Sequence, residues 1–244
     1  MKIEKITNNF ENIIIAALAL TGILILFNQI QLSAISSSLN SMTGATSKGF
    51  TFFGLGNKNT DLSNVDVYEL SSTAMSVAAM FPELKNVKNE QDAISIMIPS
   101  GAPEYSEALG GISFDDPVTS MEYLAKWYPT INSEIKNNDP ETWQRYLKLA
   151  AAPRGISCEF CCGVGPQGIT ADGKPKCGCQ HLPALLGLTL GLMKNTGYSD
   201  VEILKEVMKW KTIFFPQNMV SLAMEVAGKD PSQLKELPGM VGGC

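Results

Sequence analysis

Five of the six cysteines fall between positions 158 and 179, and this clustering limits the ways in which the chain can fold. They form two groups, and the second group also carries the only histidine: Cys158, Cys161 and Cys162, then Cys177, Cys179 and His181. Glycine- and proline-rich turns at residues 163–168 and 172–175 can fold the segment between the groups back on itself. The sequence therefore predicts a cysteine-rich loop, here called the knuckle (residues 156–181), that brings both groups together.

The side chains of the knuckle suit a thiophilic metal. Cysteine thiolates bind zinc, copper(I) and iron–sulfur clusters, and two cysteines spaced Cys-x-x-Cys chelate one ion across a tight turn. Zinc in a structural role is the simplest prediction, with copper or an iron–sulfur centre as alternatives. The candidate metal ligands are Cys158, Cys161, Cys162, Cys177, Cys179 and His181. Spacing favours Cys158, Cys161, Cys177 and Cys179, with Cys162 and His181 as alternates or supporting groups and Cys244 outside the site.

Two other chemistries fit the same cysteines. In an exported domain, six cysteines commonly form disulfides whose pairing the sequence does not fix, which would make this a disulfide-stapled surface or filament protein without metal. Alternatively, Cys158 and Cys161 form a dithiol motif of the kind used by thiol–disulfide oxidoreductases. Alternating strands and helices of the thioredoxin type are not recognisable. No catalytic set is predicted, and a binding role is favoured over an enzymatic one.

The N-terminal segment predicts a membrane anchor. Residues 13–27 carry no charge, and the apolar character continues to residue 35, which is long enough for one transmembrane helix. Lys2 and Lys5 precede this segment, whereas the next basic residue is Lys48, so the bulk of the chain is predicted to be extracytoplasmic. A cleaved signal peptide and a pilin-type filament helix are the alternatives. We expect a single-pass protein of the cell membrane.

Composition along the chain divides it into four parts. Residues 1–39 form the predicted anchor helix, and residues 40–64, rich in Ser, Thr, Asn and Gly, form a flexible stalk. Residues 65–238 form a compact, mainly α-helical domain that contains the knuckle, and residues 239–244 form a C-terminal tail. The net charge of −5 disfavours nucleic acid as a partner, because counterion release needs a basic surface. A homo-oligomer or a membrane complex is the remaining partner prediction.

Apolar spacing and capping residues predict the helices of this domain. Helices are expected over residues 65–81, 118–128, 139–152, 182–197 and 218–227, with one more behind the capping box of Ser199 and Glu202. Pro129 is expected to interrupt the second of these. β-branched isoleucines occupy every second position from 94 to 98, and this alternation predicts a short strand over residues 93–98. The helix near residue 190 is apolar on every side but too short for a bilayer, which indicates a central buried helix.

From about residue 98 to 216 the chain resembles a family of uncharacterised, membrane-anchored archaeal proteins of small-genome, host-associated lineages. The matching stretches are ISCEFCCG at 156–163, CGCQH at 177–181, EILKE at 202–206, KWK at 209–211, FFP at 214–216 and GISFDD at 111–116. The resemblance implies the architecture and a cysteine/histidine site rather than an activity. A shorter stretch, residues 177–181, is similar to bacterial lipoproteins with a Cys-x-Cys-Gly-Cys-x-His motif, although Lys176 falls where that motif has its leading Cys-x.

Overall fold

The helices of this chain begin where the sequence supplies capping side chains. The computed structural model describes residues 62–229 and 237–242, and this part is mainly helical, as predicted. Side-chain oxygens of Ser72, Asn89, Asp116, Asp139 and Ser199 each accept a hydrogen bond from a backbone amide in the first turn of a helix. The α-helices are α1 Thr73–Met80, α2 Glu90–Met97, α3 Pro117–Asn138, α4 Pro140–Ala150, α5 Glu159–Cys162, α6 His181–Asn195, α7 Asp200–Phe214 and α8 Pro216–Val226.

Three short 3-10 helices complete the secondary structure of the described residues: η1 Val67–Glu69, η2 Pro82–Asn86 and η3 Glu107–Leu109. The predicted anchor (residues 1–39) and nearly all of the predicted stalk (residues 40–64) lie outside the described residues. Among the helices that are described, none has both the length and the apolar character needed to cross a membrane.

Helix α6 lies at the centre of the bundle, as its all-round apolar sequence predicts. Its leucines at positions 182, 185, 186, 188, 190 and 192 are all fully buried. Helices α3, α4 and α7 pack around it. A side chain at Gly187 would lie 2.6 Å from the Leu124 carbonyl oxygen, and one at Gly191 would lie 2.7 Å from the Trp127 ring. These two glycines therefore let α3 approach the backbone of α6 closely.

Three local predictions are wrong, each for a physical reason. Residues 65–81 do not form one helix: η1 ends at Glu69, and Ser72 caps a new helix, α1, by accepting from the Met75 amide. Residues 93–98 are not a strand but belong mostly to α2. The Asn89 cap and two acidic residues in the first turn favour a helix there, and its buried residues, Ala93 and Met97, are spaced by four.

Pro129 does not interrupt α3, which continues to Asn138. A proline inside a helix removes one backbone hydrogen bond and costs about 3 kcal/mol. Tyr128, Ile131 and Ile135 are buried on the core side of the helix around this position. Burial of such side chains contributes about 1.5–3 kcal/mol each, which offsets the cost of the proline.

Candidate metal centre

The first cysteine group lies on a single helical turn. Cys158 is the N-terminal cap residue of α5, and Gly163, with a φ of 64°, ends the helix in the left-handed conformation. Cys158 and Cys162 are four residues apart, which places their side chains on the same side of the turn. Their sulfur atoms lie 3.8 Å apart, and the sulfur atoms of Cys161 and Cys162 lie 3.7 Å apart.

The spacer between the two groups folds back on the bundle. The Thr170 amide donates to the Lys174 carbonyl at 2.9 Å, and Ile169 and Pro175 form an isolated antiparallel bridge. The Gly168 amide donates to Ala150 at the end of α4. Gly173 has a φ of 86°, and a side chain there would lie 2.6 Å from the Trp143 ring. This turn returns the chain to the site just before α6 begins.

The fold brings four cysteine sulfurs into one group. The Sγ atoms of Cys158, Cys162, Cys177 and Cys179 all lie within 4.8 Å of one another. Cys158 and Cys179 are buried, whereas Cys162 is exposed at the outer side. A second group with the same spacing contains the sulfurs of Cys161 and Cys179 and a ring nitrogen of His181. Cys179 therefore belongs to both groups.

The cysteines of the first group are in two chemical states. Cys162 and Cys177 are joined as a disulfide, with their Cα atoms 6.8 Å apart. Cys158 and Cys179 are not disulfide-bonded. The cluster therefore contains both the bond expected of a disulfide staple and a pair of buried thiols that a metal would use.

Cys158 and Cys179 differ in pKa, and the shifts are in opposite directions. A hydrogen bond from the Cys158 thiol holds the pKa of Cys179 well below its ordinary value, with further help from the His181 side chain and from the backbone amides of Leu182 and His181 at the start of α6. The pKa of Cys158 is raised, first by its hydrogen bond with Cys179 and then by burial. Cys179 is thus the thiolate of the pair, the form in which sulfur binds metals. Amide donors at a helix N-terminus stabilise that charge.

The ring of His181 lies between the cysteines and the C-terminal residues of the described chain. The side chain is fully buried, and its Nε2 lies 2.8 Å from the carbonyl oxygen of Val241. A carbonyl only accepts, so Nε2 donates this hydrogen bond. A ring nitrogen of His181 lies within 4.8 Å of the Cys179 sulfur, and the His181 side chain helps to lower the pKa of Cys179. A histidine ligand commonly has this arrangement, in which a backbone carbonyl holds the distal N–H and so orients the ring.

A buried ion pair connects the knuckle to the bundle. Lys211 on α7 is fully buried, and its Nζ donates to the Gly155 carbonyl at 2.9 Å and to Glu159 Oε1 at 2.5 Å. The same carboxylate oxygen accepts from the hydroxyl of Thr73 at 2.5 Å. Glu159 directly follows Cys158, so this ion pair fixes the turn that carries the first cysteine group.

The four cysteines that lie together in the structure are not the same four that the sequence spacing favours. The narrower prediction favoured Cys161, whereas the group of four contains Cys162, which lies one full helical turn after Cys158. The sequence analysis also missed Lys211 and the Val241 carbonyl. Position 211 continues the buried stripe of Leu204, Val207 and Met208, so a lysine there signals a buried charge. Cys244 lies outside the described residues.

Compared with protein-family profiles, with curated proteins and with solved structures, the chain matches none. The resemblances noted in the sequence analysis therefore stay predictions.

Proposed function

We propose that this chain is a membrane-anchored, extracytoplasmic protein whose knuckle binds a thiophilic metal. The single observation that carries the proposal is the convergence of four cysteine sulfurs, from two separate sequence groups, to within 4.8 Å of one another. Zinc is the simplest occupant because it favours four thiolate ligands in a tetrahedral structural site. Copper(I) and an iron–sulfur cluster use the same ligand type.

The spacing of the sulfurs supports a tetrahedral site. Four sulfurs at ~2.3 Å from one zinc ion lie about 3.8 Å from each other. Cys158 and Cys162 have this separation, 3.8 Å, without any movement. Cys179 already accepts backbone amides and the Cys158 proton, so its charge is stabilised before any ion arrives. The Cys179 amide also donates to the Cys177 sulfur at 3.4 Å.

Metal binding by all four cysteines requires the reduced form of the knuckle. Reduction of the Cys162–Cys177 disulfide takes two electrons and two protons and yields two thiols, which then lose their protons to bind the ion. A thiol or phosphine reductant supplies the electrons and becomes a disulfide or a phosphine oxide. The affinity of the knuckle for metal should therefore rise with pH and fall under oxidising conditions.

Metal content tests the proposal directly. Full-length protein purified in detergent, with reductant and without chelator, should contain at least about one zinc per chain by elemental analysis. Cys162→Ser should lose most of it, because the exposed side chain of Cys162 can be replaced without disturbing the core. Lys176→Ala is the matched control, since Lys176 lies beside Cys177 and its exposed side chain hydrogen-bonds Gln167. Protein without metal and with all cysteines oxidised would contradict the proposal.

A disulfide-stapled protein is the second candidate, and the Cys162–Cys177 bond favours it. A disulfide joining residues 15 apart stabilises a fold by about 3 kcal/mol. On this alternative, reductant should lower the unfolding midpoint with no release of metal. Zinc retained by the reduced protein would decide against it.

The oxidoreductase alternative has less support from the geometry. The two thiols of the described cluster are Cys158 and Cys179, rather than the Cys158–Cys161 pair of the sequence motif. Cys158 is fully buried and Cys179 is 8% exposed, so a protein disulfide has little access to either sulfur. An insulin-reduction assay with Cys158→Ser as the control would test this activity.

The membrane anchor is the part of the proposal that rests on sequence alone. The uncharged residues 13–27 and the two preceding lysines support one span with an external C-terminal domain. Protease added to intact cells should degrade the knuckle domain. Protection in intact cells, with degradation only after lysis, would contradict this orientation.

A further inference from the structure

The four clustered cysteines form two pairs that differ in their access to solvent. The Cys162–Cys177 disulfide has one sulfur on an exposed residue, Cys162. Cys158 and Cys179 are buried and are not disulfide-bonded. A thiol or disulfide in solution therefore reaches the first pair easily and has little access to the second. Redox chemistry at the buried pair has to arrive through the exposed pair.

The positions of the sulfurs provide a short route between the two pairs. A disulfide exchanges when a thiolate attacks one of its sulfurs and the other sulfur leaves. Cys158 Sγ lies 3.8 Å from Cys162 Sγ, so Cys158 is placed to attack that end of the disulfide. All four sulfurs lie within 4.8 Å of one another, so Cys179 is close enough to take part in a second exchange.

The surroundings of Cys177 favour it as the sulfur that leaves. The Cys179 amide donates to Cys177 Sγ at 3.4 Å. A hydrogen-bond donor stabilises a sulfur that gains negative charge, and a less basic sulfur leaves faster. Attack on Cys162 is therefore matched by a stabilised leaving group at the other end of the bond.

We infer that the knuckle passes its disulfide from the exposed pair, Cys162 and Cys177, to the buried pair, Cys158 and Cys179. This activity goes beyond the proposed metal binding and does not depend on it, because it uses the oxidised knuckle. After the transfer the bond is shielded from reductants in solution, and the outer cysteines are free to react. The exposed pair is then the entry point and the buried pair is the store.

The transfer takes two exchange steps and no outside reactant. In the first step, Cys158 passes its proton to Cys179 and attacks Cys162 Sγ. The Cys158–Cys162 bond forms, the Cys162–Cys177 bond breaks, and Cys177 leaves as a thiolate. In the second step, Cys179 passes the proton to Cys177 and attacks Cys158 Sγ. The Cys158–Cys179 bond forms, and Cys162 leaves as a thiolate. One disulfide is present before and after, so no electron enters or leaves.

A time course of oxidation followed by peptide mapping tests the transfer. The reduced full-length chain in detergent, with chelator present, is mixed with oxidised glutathione and blocked with N-ethylmaleimide at intervals. Trypsin and a glutamate-specific protease cleave after Arg154, Glu159 and Lys176, which separates Cys158 from Cys162 and both from the second cysteine group. Tandem mass spectrometry then assigns each bond to Cys177 or to Cys179.

The wild type should first form the Cys162–Cys177 bond and then the Cys158–Cys179 bond. In Cys162→Ser the buried bond should form at least about ten times more slowly, because the attacking sulfurs of an intramolecular route have a high effective concentration. Cys158→Ser is the control, and it should form the outer bond at the rate of the wild type. Far-UV circular dichroism checks that both variants keep the helical content of the wild type.

Each contrary result overturns a stated part of the inference. A wild type that never forms the Cys158–Cys179 bond would overturn the transfer. Equal rates of buried-bond formation in the wild type and in Cys162→Ser would overturn Cys162 as the entry point. Zinc binding by the reduced chain is measured separately, so its failure would overturn the proposed function and not this inference.

Discussion

Helix α6 and the knuckle meet at His181, yet different forces hold them. The leucines of α6 are buried on every side, and burial contributes about 1.5–3 kcal/mol for each such side chain. In the knuckle, Gly163, Gly165 and Gly173 adopt positive φ, and few large apolar side chains are buried. We therefore expect the bundle to fold mainly through the hydrophobic effect, and the knuckle to depend more on links between its cysteines.

This contrast between the two regions explains how the site is built. A rigid, buried helix supplies one end of the site through the amides at its N-terminus and through His181. The turn-rich knuckle supplies the sulfurs, which need either a disulfide or a metal to stay together. The predictions below test whether the two regions separate in this way.

The largest expected effect is on local opening of the knuckle. In the reduced, metal-free chain, the Lys176 amide, which donates to Gly168 at 2.9 Å, should exchange its hydrogen much faster than amides in the middle of α6. Zinc at about 1,000 times its dissociation constant should raise the free energy of this opening by ~4 kcal/mol. Hydrogen exchange followed by NMR measures both values. Simultaneous exchange of the knuckle and α6 without metal would show that the bundle does not fold independently.

Truncation of a leucine in the α6 core should destabilise the bundle by nearly as much as the loss of zinc destabilises the knuckle. Leu188 is fully buried, and Leu188→Ala should lower the free energy of unfolding by about 3 kcal/mol, because it leaves a cavity in the core. Urea denaturation followed by circular dichroism gives this value. The control is Val118→Ala at a position that is 42% exposed, where a change below about 0.5 kcal/mol is expected. Equal losses in the two variants would contradict a central role for α6.

These two regions also differ in how well the sequence predicts them. The leucines of α6 show on their own that the helix is buried, because a helix apolar on all sides has no face for water. The cysteine pattern predicts that both groups converge, but not which sulfurs meet. Whether Cys161 or Cys162 joins Cys158 depends on which side of one helical turn each side chain lies. The sequence does not reveal this, because the two cysteines are adjacent.

The remaining mispredictions also arise from context. Alternation at residues 93–98 resembles a strand, but the caps upstream decide in favour of α2. Pro129 is tolerated because buried neighbours stabilise α3 on both sides of it. The partners of Lys211 cannot be read from the sequence, because Gly155 and Glu159 are distant from it along the chain.

Loss of the buried lysine should weaken the junction between the two regions. Lys211→Met removes the partner of the Glu159 carboxylate, which keeps only the Thr73 hydroxyl, so we expect a loss of about 2 kcal/mol in urea denaturation. Adding Glu159→Gln should recover part of this, because no unpaired charge remains. The control is Lys209→Met, whose pair with Glu206 is partly exposed and worth about 0.5 kcal/mol. A double variant as unstable as the single variant would contradict the ion-pair account.

The smallest effect is expected at the exposed tip of the knuckle. A hydrogen bond from Lys174, together with one from Thr170, lowers the pKa of Asp172 to about 2. The folded-state pKa lies below the unfolded value, so this carboxylate stabilises the fold above about pH 4, and the stabilisation is lost as the pH falls through about 2. Because both side chains are exposed, Asp172→Asn should lower the urea midpoint at pH 7 only slightly. A loss of stability as large as that of Leu188→Ala would contradict this expectation.

The most direct test of the central claim is zinc-edge X-ray absorption of the reduced, zinc-loaded chain. The four-sulfur group of Cys158, Cys162, Cys177 and Cys179 predicts a first coordination shell dominated by sulfur at about 2.3 Å. Replacement of Cys162 by serine should reduce the sulfur contribution to that shell. A shell of only oxygen and nitrogen near 2.0 Å, or a chain that retains no zinc after reduction, would contradict the proposal that the knuckle is a metal site.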